Sequence, residues 1–304
     1  MFQHTRRREV MQLAETAIVQ AGARVSATAR LGDYVKVYLG ASVGDDSVVH
    51  GMTQLWPGAQ VGAGVIVGPG VTLAPAVGGG DCGIVLEDRC EVGAGATLLA
   101  GVNIGTGARV EPGATVAQNV PAYAIVSGTP ARITGYVEKL TPDDNAGWYR
   151  QARFPATPST VVLGVGGVTL HRFKYLNDPR GDLSVGEFLN DIPFQPKRYF
   201  LVMNVPSDKT RGEHAHHRCH QFLVCVKGSC AVMVDDGETR CEVLLESADM
   251  GIYLPPLTWG VQYKYSADAV LLVFASEFYE ASDYIRDYRE FNAVLAQSKL
   301  QQPG

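Results

Sequence analysis

Long apolar runs are missing from this chain, and so is any excess of basic charge. Its 304 residues carry 26 Lys and Arg against 31 Asp and Glu, a formal net charge of -5. That balance excludes a chain-wide polyanion-binding surface of the kind nucleic acids or acidic membranes require. No apolar stretch is long enough to cross a bilayer. Arg6, Arg7 and Arg8 are followed by an amphipathic segment, not an apolar one, so the N-terminus does not read as a signal peptide. Val10, Leu13, Ala14, Ala17 and Ile18 fall at helical spacing there and predict a short capping helix. Cysteine is sparse: Cys82, Cys90, Cys219, Cys225, Cys230 and Cys241 form no pair at metal-knuckle spacing. They read as small buried hydrophobes in a reducing compartment. The expectation is a cytoplasmic protein with no nucleic-acid or membrane partner. Basic residues are also missing locally, with no Lys or Arg between Val37 and Asp88, whereas Lys197, Arg198 and Arg211 fall in one short stretch.

What is present is a ladder. An aliphatic residue stands at every sixth position: Val25, Leu31, Val37, Val43, Val49, Leu55, Val61, Val67 and Leu73, then Leu86, Val92, Leu98, Ile104, Val110 and Val116. Neither a helix nor an ordinary strand has period six; a chain that turns a corner every six residues does. The fourth residue after each rung is mostly small or β-branched (Ala29, Val35, Ala41, Ser47, Thr53, Ala59, Val65, Val71), as a tight triangular coil requires. Leu73 to Leu86 is thirteen residues, two hexads plus one, which predicts a looped-out segment containing Gly78-Gly79-Gly80-Asp81-Cys82-Gly83. Flat faces and open coil ends have to be covered, which predicts a homo-oligomer with a threefold axis.

Near residue 137 the composition changes from glycine-rich to aromatic-rich. Residues 1–137 are read as a left-handed parallel β-helix, 138–160 as a linker and 161–304 as a second all-β domain. In the linker, Thr141-Pro142-Asp143-Asp144 reads as a helix start, and Pro155 and Pro158 as connecting chain. Short apolar or alternating runs follow, such as Tyr199 to Val205, Gln221 to Val226 and Ala269 to Ala275, with turn signals between them. They predict an antiparallel sandwich or barrel. Within it, His214 and His216 are two apart on a predicted strand and so share a side. His217 points away, and His220 could lie on either side. Arg211-Gly212-Glu213-His214-Ala215-His216 with Gly228 has the spacing of a first cupin motif, but Gln221 stands where the acid should be. No histidine follows His220. Half of a cupin's usual four ligands are therefore missing, and the expectation is no metal. Two metal-free cavity imidazoles suit proton transfer near neutral pH; a satisfied structural pair is the plainer reading.

The ladder's ending, from Ala117-Gln118-Asn119-Val120-Pro121 to Ser127-Gly128-Thr129-Pro130-Ala131-Arg132, resembles the left-handed β-helix acyltransferases, most closely those that acetylate amino sugars on nucleotides. The resemblance implies acetyl-coenzyme A between neighbouring coils. It makes Gly113, Ala114, Ser127 and Arg132 the candidate contacts, so that a bulky side chain at Ala114 should obstruct the coenzyme. Asp81 is the candidate for the acceptor amine, or else part of a plain connecting loop. Many relatives use a histidine base, but the ladder's histidine is His50, just after a rung, where a structural role fits equally. An amine acceptor needs no dedicated base once deprotonated.

Asp178-Pro179-Arg180-Gly181, Lys197-Arg198-Tyr199-Phe200, the His214 motif, Val234-Asp235-Asp236-Gly237, Ala275-Ser276-Glu277-Phe278-Tyr279 and Asp283-Tyr284-Ile285-Arg286 resemble the cupin 3,4-ketoisomerases of thymidine diphosphate (dTDP) sugar pathways. That resemblance implies a jelly-roll barrel moving a ketone from C4 to C3 of a 4-keto-6-deoxyhexose through an enediolate, with His214 and His216 as the acid/base pair. Arg211 becomes a cavity cation, and Arg180, Lys197 and Arg198 become candidates for the pyrophosphate or the enediolate. Tyr253 and Trp259 become candidate sugar or base contacts, though both fit a plain core. Gly260-Val261-Gln262-Tyr263-Lys264 departs from the relatives' histidine-bearing segment and leaves galacto versus gluco product open. Such cupins pair as dimers, which turns a trimer into a hexamer. Together the two halves imply a bifunctional enzyme of deoxyamino-sugar nucleotide synthesis, of the kind that supplies O-antigen sugars. The rivals are an isomerase on a non-catalytic β-helix pedestal, a 3,5-epimerase and a nucleotide-sugar sensor.

Overall fold

The computed structural model describes residues 12–137, 158–206 and 209–300, and the chain divides into two compact units, Met1–Val137 and Glu138–Gly304. The helix start expected at Thr141 lies outside the described residues.

The first unit is a parallel β-helix. Strands of two residues succeed one another every six residues and stack on the strand eighteen residues away, as in Val67 on Val49 and Val43 on Val25. Three flat faces result. Both predicted interior positions are buried: the rungs from Leu31 to Val116 are 4% exposed or less, and Ala29, Val35, Ala41, Ala59, Val65 and Val71 2% or less. Each aliphatic rung withdrawn from water contributes about 1.5–3 kcal/mol. A polar residue enters only when bonded. Ser47 Oγ donates to the Gly62 carbonyl at 2.7 Å and accepts the Val65 N–H at 3.0 Å.

Two expectations need correcting here. Leu13, Ala14, Ala17 and Ile18 do not form a helix: Gln12–Leu13 and Ile18–Val19 are already coil strands, paired with Arg30–Leu31 and Lys36–Val37. Leu13 and Val19 continue the ladder backwards from Val25 at the same period of six, and the coil's hydrogen bonds override a 3.6-residue pattern that fitted equally well. The gap from Leu73 to Leu86 is one hexad plus seven inserted residues, because Val85–Leu86 joins the face next in turn, between Gln60–Val61 and Asn103–Ile104. The insertion leaves at a corner and returns there. Its Asp81 carboxylate accepts the Gly83 N–H at 2.9 Å and lies where a Cβ on Gly58 would be, 1.2 Å from Oδ1.

The second unit is antiparallel throughout its two main sheets, which have the cupin arrangement. One has six strands in the order Ser159–Val162, Thr169–Arg172, Met250–Leu254, Gln221–Lys227, Val270–Ala275 and Arg198–Met203. The other has five: Arg240–Leu245, Cys230–Asp235, Trp259–Tyr263, Arg211–His216 and Tyr284–Ile285. Leu223, Val232, Val243, Ile252, Leu271 and Val273 fill the core. Phe173, Ile192, Phe194, Phe222 and Val224 form another cluster. Consecutive residues of Gln221–Lys227 enter both clusters, which is why that strand reads as an unbroken apolar run. The helix Tyr288–Leu300 is held by Phe291 and by Tyr288, whose hydroxyl donates to Asp235 at 2.7 Å beside the buried Arg240–Asp235 ion pair. All six cysteines are buried, unpaired thiols, and no helix among the described residues is long and apolar enough to cross a membrane.

Val61→Asp should cost about 3 kcal/mol or more, because the coil interior offers a carboxylate no partner. Gln60→Asp, one residue away and exposed, should stay within about 0.5 kcal/mol. Denaturant unfolding of the two variants checks the difference.

Candidate active site

The site is built on a bulge. Gly212 and Glu213 take consecutive left-handed conformations, φ 82 and 54, and the register with Trp259–Tyr263 shifts between Gly212 and His214. Glycine is required at the first position, because a Cβ there would lie 2.5 Å from the Gly260 carbonyl oxygen. Beyond the bulge His214 and His216 share one side of the strand, as expected, with ring centroids 4.9 Å apart and planes at 84°.

Each imidazole has its tautomer set by a partner. His214 Nδ1–H donates to the Gly212 carbonyl at 2.9 Å, which leaves Nε2 as an acceptor. His216 Nδ1–H donates to Asp283 Oδ2 at 2.9 Å, and its Nε2 accepts the Gln221 amide N–H at 3.1 Å. Asp283 is 5% exposed and also accepts the Arg218 and Cys219 backbone N–H groups. Tyr284, directly opposite His216 in the register, lays its ring 4.3 Å from His216 and 4.9 Å from His214. Burial pushes both imidazoles below their ordinary pKa. For His216 the neighbouring His214 adds to this, against the opposing pull of Asp283, and the value falls to about 4. For His214 the charge of Arg286 adds to burial, while the Gly212 bond opposes it. Both rings are therefore neutral near pH 7.

A cavity of about 380 Å³ opens beside His214, lined by Phe200, Val202, Arg211, Gln221 and Gln262 among others. A second space of about 10 Å³, room for one water, lies between His214, His216, Gln221 and Gln262. Ligand atoms of His216, Cys219 and Asp283 lie within 4.8 Å of one another. Hydrogen bonds already account for the cluster, since His216 Nδ1–H and the Cys219 N–H both point at Asp283. Gln221, in place of the cupin acid, offers the remaining His216 nitrogen a donor.

The other candidates disperse. Arg211 lines the cavity with His214. Arg198 reaches the site through Tyr284, whose hydroxyl accepts from its guanidinium at 3.3 Å, and it donates to the Glu277 carbonyl at 3.0 Å. Lys197 pairs with Glu277 at 2.5 Å. Arg180 is bound to Asp178 at 2.8 Å on an exposed turn. Tyr253 is not among the residues lining either space; its hydroxyl meets His220 Nδ1 at 2.6 Å, and the rings stack. Trp259 is also absent from both linings. It is 7% exposed and packs on Tyr288 and Phe291 of the C-terminal helix. His217 is exposed. Spacing assigns no role to Asp283 or Tyr284, since a partner 67 residues from His216 leaves no local signal.

On the β-helix, Ser127 and Arg132 face each other across the closing hairpin, and Gly113 sits at an open corner with φ 71. Ala114 corrects an expectation. It is 1% exposed, its N–H donates to Glu111 and its carbonyl accepts from Thr97, so its side chain is inside the coil. A bulky residue there would overpack the coil instead of obstructing an outer groove. Asp81 and His50 are both exposed.

Comparison with known proteins follows this division. Residues 166–296 match the family model described as FdtA: WxcM-like, C-terminal. A TDP-4-oxo-6-deoxy-α-D-glucose-3,4-oxoisomerase of Aneurinibacillus thermoaerophilus is 39% identical over 132 residues, 43% of this chain and 95% of that protein. A sugar 3,4-ketoisomerase of Thermoanaerobacterium thermosaccharolyticum, solved with TDP, is 35% identical, covering 43% of this chain and 96% of that one with a TM-score of 0.42. The N-terminal half is similar to a 2,3,4,5-tetrahydropyridine-2,6-dicarboxylate N-acetyltransferase of Staphylococcus aureus, 44% identical over 73 residues, 24% of this chain. The chain spans 30% of that acetyltransferase's length. With its cupin barrel, its paired histidines and a relative covered almost end to end, the chain belongs to the FdtA, WxcM-like family of 3,4-oxoisomerases.

Proposed function

We propose that the cupin unit isomerises a dTDP-4-keto-6-deoxyglucose to the 3-keto sugar, with His214 as the proton carrier. The carrying observation is its Nε2, left as an acceptor by the Gly212 bond, on a cavity that also receives Arg211. The C3 proton passes to His214, the C3–H electron pair forms C3=C4, and the C4 oxygen takes the negative charge. Moving the hydroxyl proton from O3 to O4 and returning a proton to C4 leaves the ketone at C3. No co-substrate is consumed. His216, fixed by Asp283 and Gln221, is the second imidazole of the pair, and Arg211 supplies positive charge for the enediolate or the pyrophosphate. Arg198 is proposed for the same anions at longer reach, with Lys197 and Arg180 at the rim. No metal takes part in this reading, because Gln221 supplies a donor where a metal would need a ligand.

We further propose that the β-helix N-acetylates a dTDP-3-amino-3,6-dideoxyhexose from acetyl-coenzyme A, the product of a transamination at the new C3 ketone. Supporting this are the closing hairpin that brings Ser127 opposite Arg132 and the N-acetyltransferase likeness of this half of the chain. Asp81 is the proposed partner of the acceptor amine. The particle is proposed to be a trimer, or a hexamer through the cupins, in the cytoplasm; light scattering measures its mass.

In deuterated water the wild type should move the ketone of the dTDP-4-keto sugar to C3, as read by NMR. Replacing both His214 and His216 by Asn should slow this at least about a hundredfold. A product that keeps its ketone at C4 with inversion at C3 and C5 would assign an epimerase instead.

The depressed pKa of His216 sets a pH window. Because the folded value, about 4, lies below the ordinary 6.5, the stability that depends on the neutral ring is complete above about pH 6.5 and is lost as pH falls toward 4. Unfolding free energies across that range should drop in the wild type and drop less in His216→Asn.

Acetyl transfer, measured as coenzyme A released with the 3-amino sugar nucleotide, should be unchanged in the double histidine variant. No transfer by the wild type would leave the β-helix as a pedestal.

A further inference from the structure

Gln262 presents its amide to the cavity beside His214. It lies on the strand Trp259–Tyr263, paired with Arg211 on one side and Val232 on the other. It is 8% exposed, and it lines both the cavity beside His214 and the small space shared with His216 and Gln221. The amide is held over the bulge, where a Cβ on Gly212 would lie 2.8 Å from Oε1 and 3.0 Å from Nε2. Yet its side chain makes no hydrogen bond to any described residue. Two buried polar side chains of the site are engaged with their neighbours: Gln221 with His216, and Asp283 with His216, Arg218 and Cys219. The amide is open to the cavity, where a ligand can take up both its donor and its acceptor.

We propose that Gln262 holds the two reacting oxygens of the sugar, binding the α-hydroxyketone through both ends of its amide. This rests on the isomerase reading above and names the group that recognises the substrate's reacting edge. An α-hydroxyketone sets one hydrogen-bond acceptor and one donor on adjacent carbons, and a primary amide presents the complementary pair. As charge builds on the C4 oxygen, the Nε2–H group donates to an anion in place of a neutral ketone, so the bond strengthens in the enediolate. After isomerisation the ketone and hydroxyl have exchanged carbons, and the same edge still offers one donor and one acceptor. The amide therefore binds both ends of the reaction while favouring what lies between them.

The test uses Gln262→Met, which keeps the side chain's length without its polar atoms, and Gln262→Glu, which keeps its shape but replaces the donor with a negative charge. With the dTDP-4-keto sugar, kcat for Gln262→Met should fall about a hundredfold, the scale for removing one oxyanion donor. Exchange of the C3 proton with deuterated water should fall in the same ratio. Gln262→Glu should fall further, because its carboxylate faces the enediolate charge. Affinity for TDP should match the wild type, as should the melting temperature of Gln262→Met, which a merely structural role under the Gly212 bulge would not allow. If Gln262→Met fails to fold, Gln262→Glu is read by the same measures. Wild-type kcat in a folded variant overturns the role of Gln262 and leaves the isomerase standing. Absence of turnover and exchange in the wild type removes both together.

Discussion

One buried carboxylate organises the end of the barrel that carries His214 and His216. Asp283 is 5% exposed and accepts from His216 Nδ1, from the Arg218 N–H and from the Cys219 N–H. A charge taken so far out of water is tolerated only when its lone pairs are filled, and these donors come from the strand end and the turn that follows it. The carboxylate therefore fixes the path of residues 216–219, closes the edge of the five-stranded sheet against Tyr284–Ile285, and selects the His216 tautomer. The orientation of Gln221 follows from that tautomer, because only an unprotonated Nε2 can accept its amide.

The two halves of the chain differ in how much of them sequence discloses. A triangular coil has one interior position per six residues that must be apolar and another that must be small, so Val25 to Val116 spell out the fold with no knowledge of pairing. The same physics leaves ends and insertions ambiguous. Leu13 and Ala17 satisfy a helix's spacing as well as the coil's, and the thirteen-residue step from Leu73 to Leu86 can be counted as two hexads plus one or as one plus seven; only the face on which Val85–Leu86 lands decides.

In the barrel, His214 and His216 were legible because a strand's period of two is a local property. Their partners were not. Asp283 reaches His216 across 67 residues, and nothing in the intervening sequence records the approach. Aromatics are ambiguous for the converse reason: Trp259 and Tyr253 carry the composition of a sugar platform, and only the fold supplies their neighbours, Tyr288 and Phe291 for one and His220 for the other. Ala114 is the fourth residue after the rung Val110, the same small column as Ala29 and Ala41, so the ladder itself turns its side chain inward, against a place in an outer groove.

The seven extra residues at the 74–83 corner leave and rejoin the β-helix without disturbing what comes after them: Leu86, Val92 and Leu98 stack on Val61, Val67 and Leu73, in the same interior columns as the rungs before the interruption. Phase in this solenoid is thus restored at every strand by contact with the coil beneath, not carried forward by counting along the chain. A frame kept by neighbours can absorb new sequence at any corner and pass the error no further, so a corner is where such a scaffold gains recognition loops without renegotiating its core.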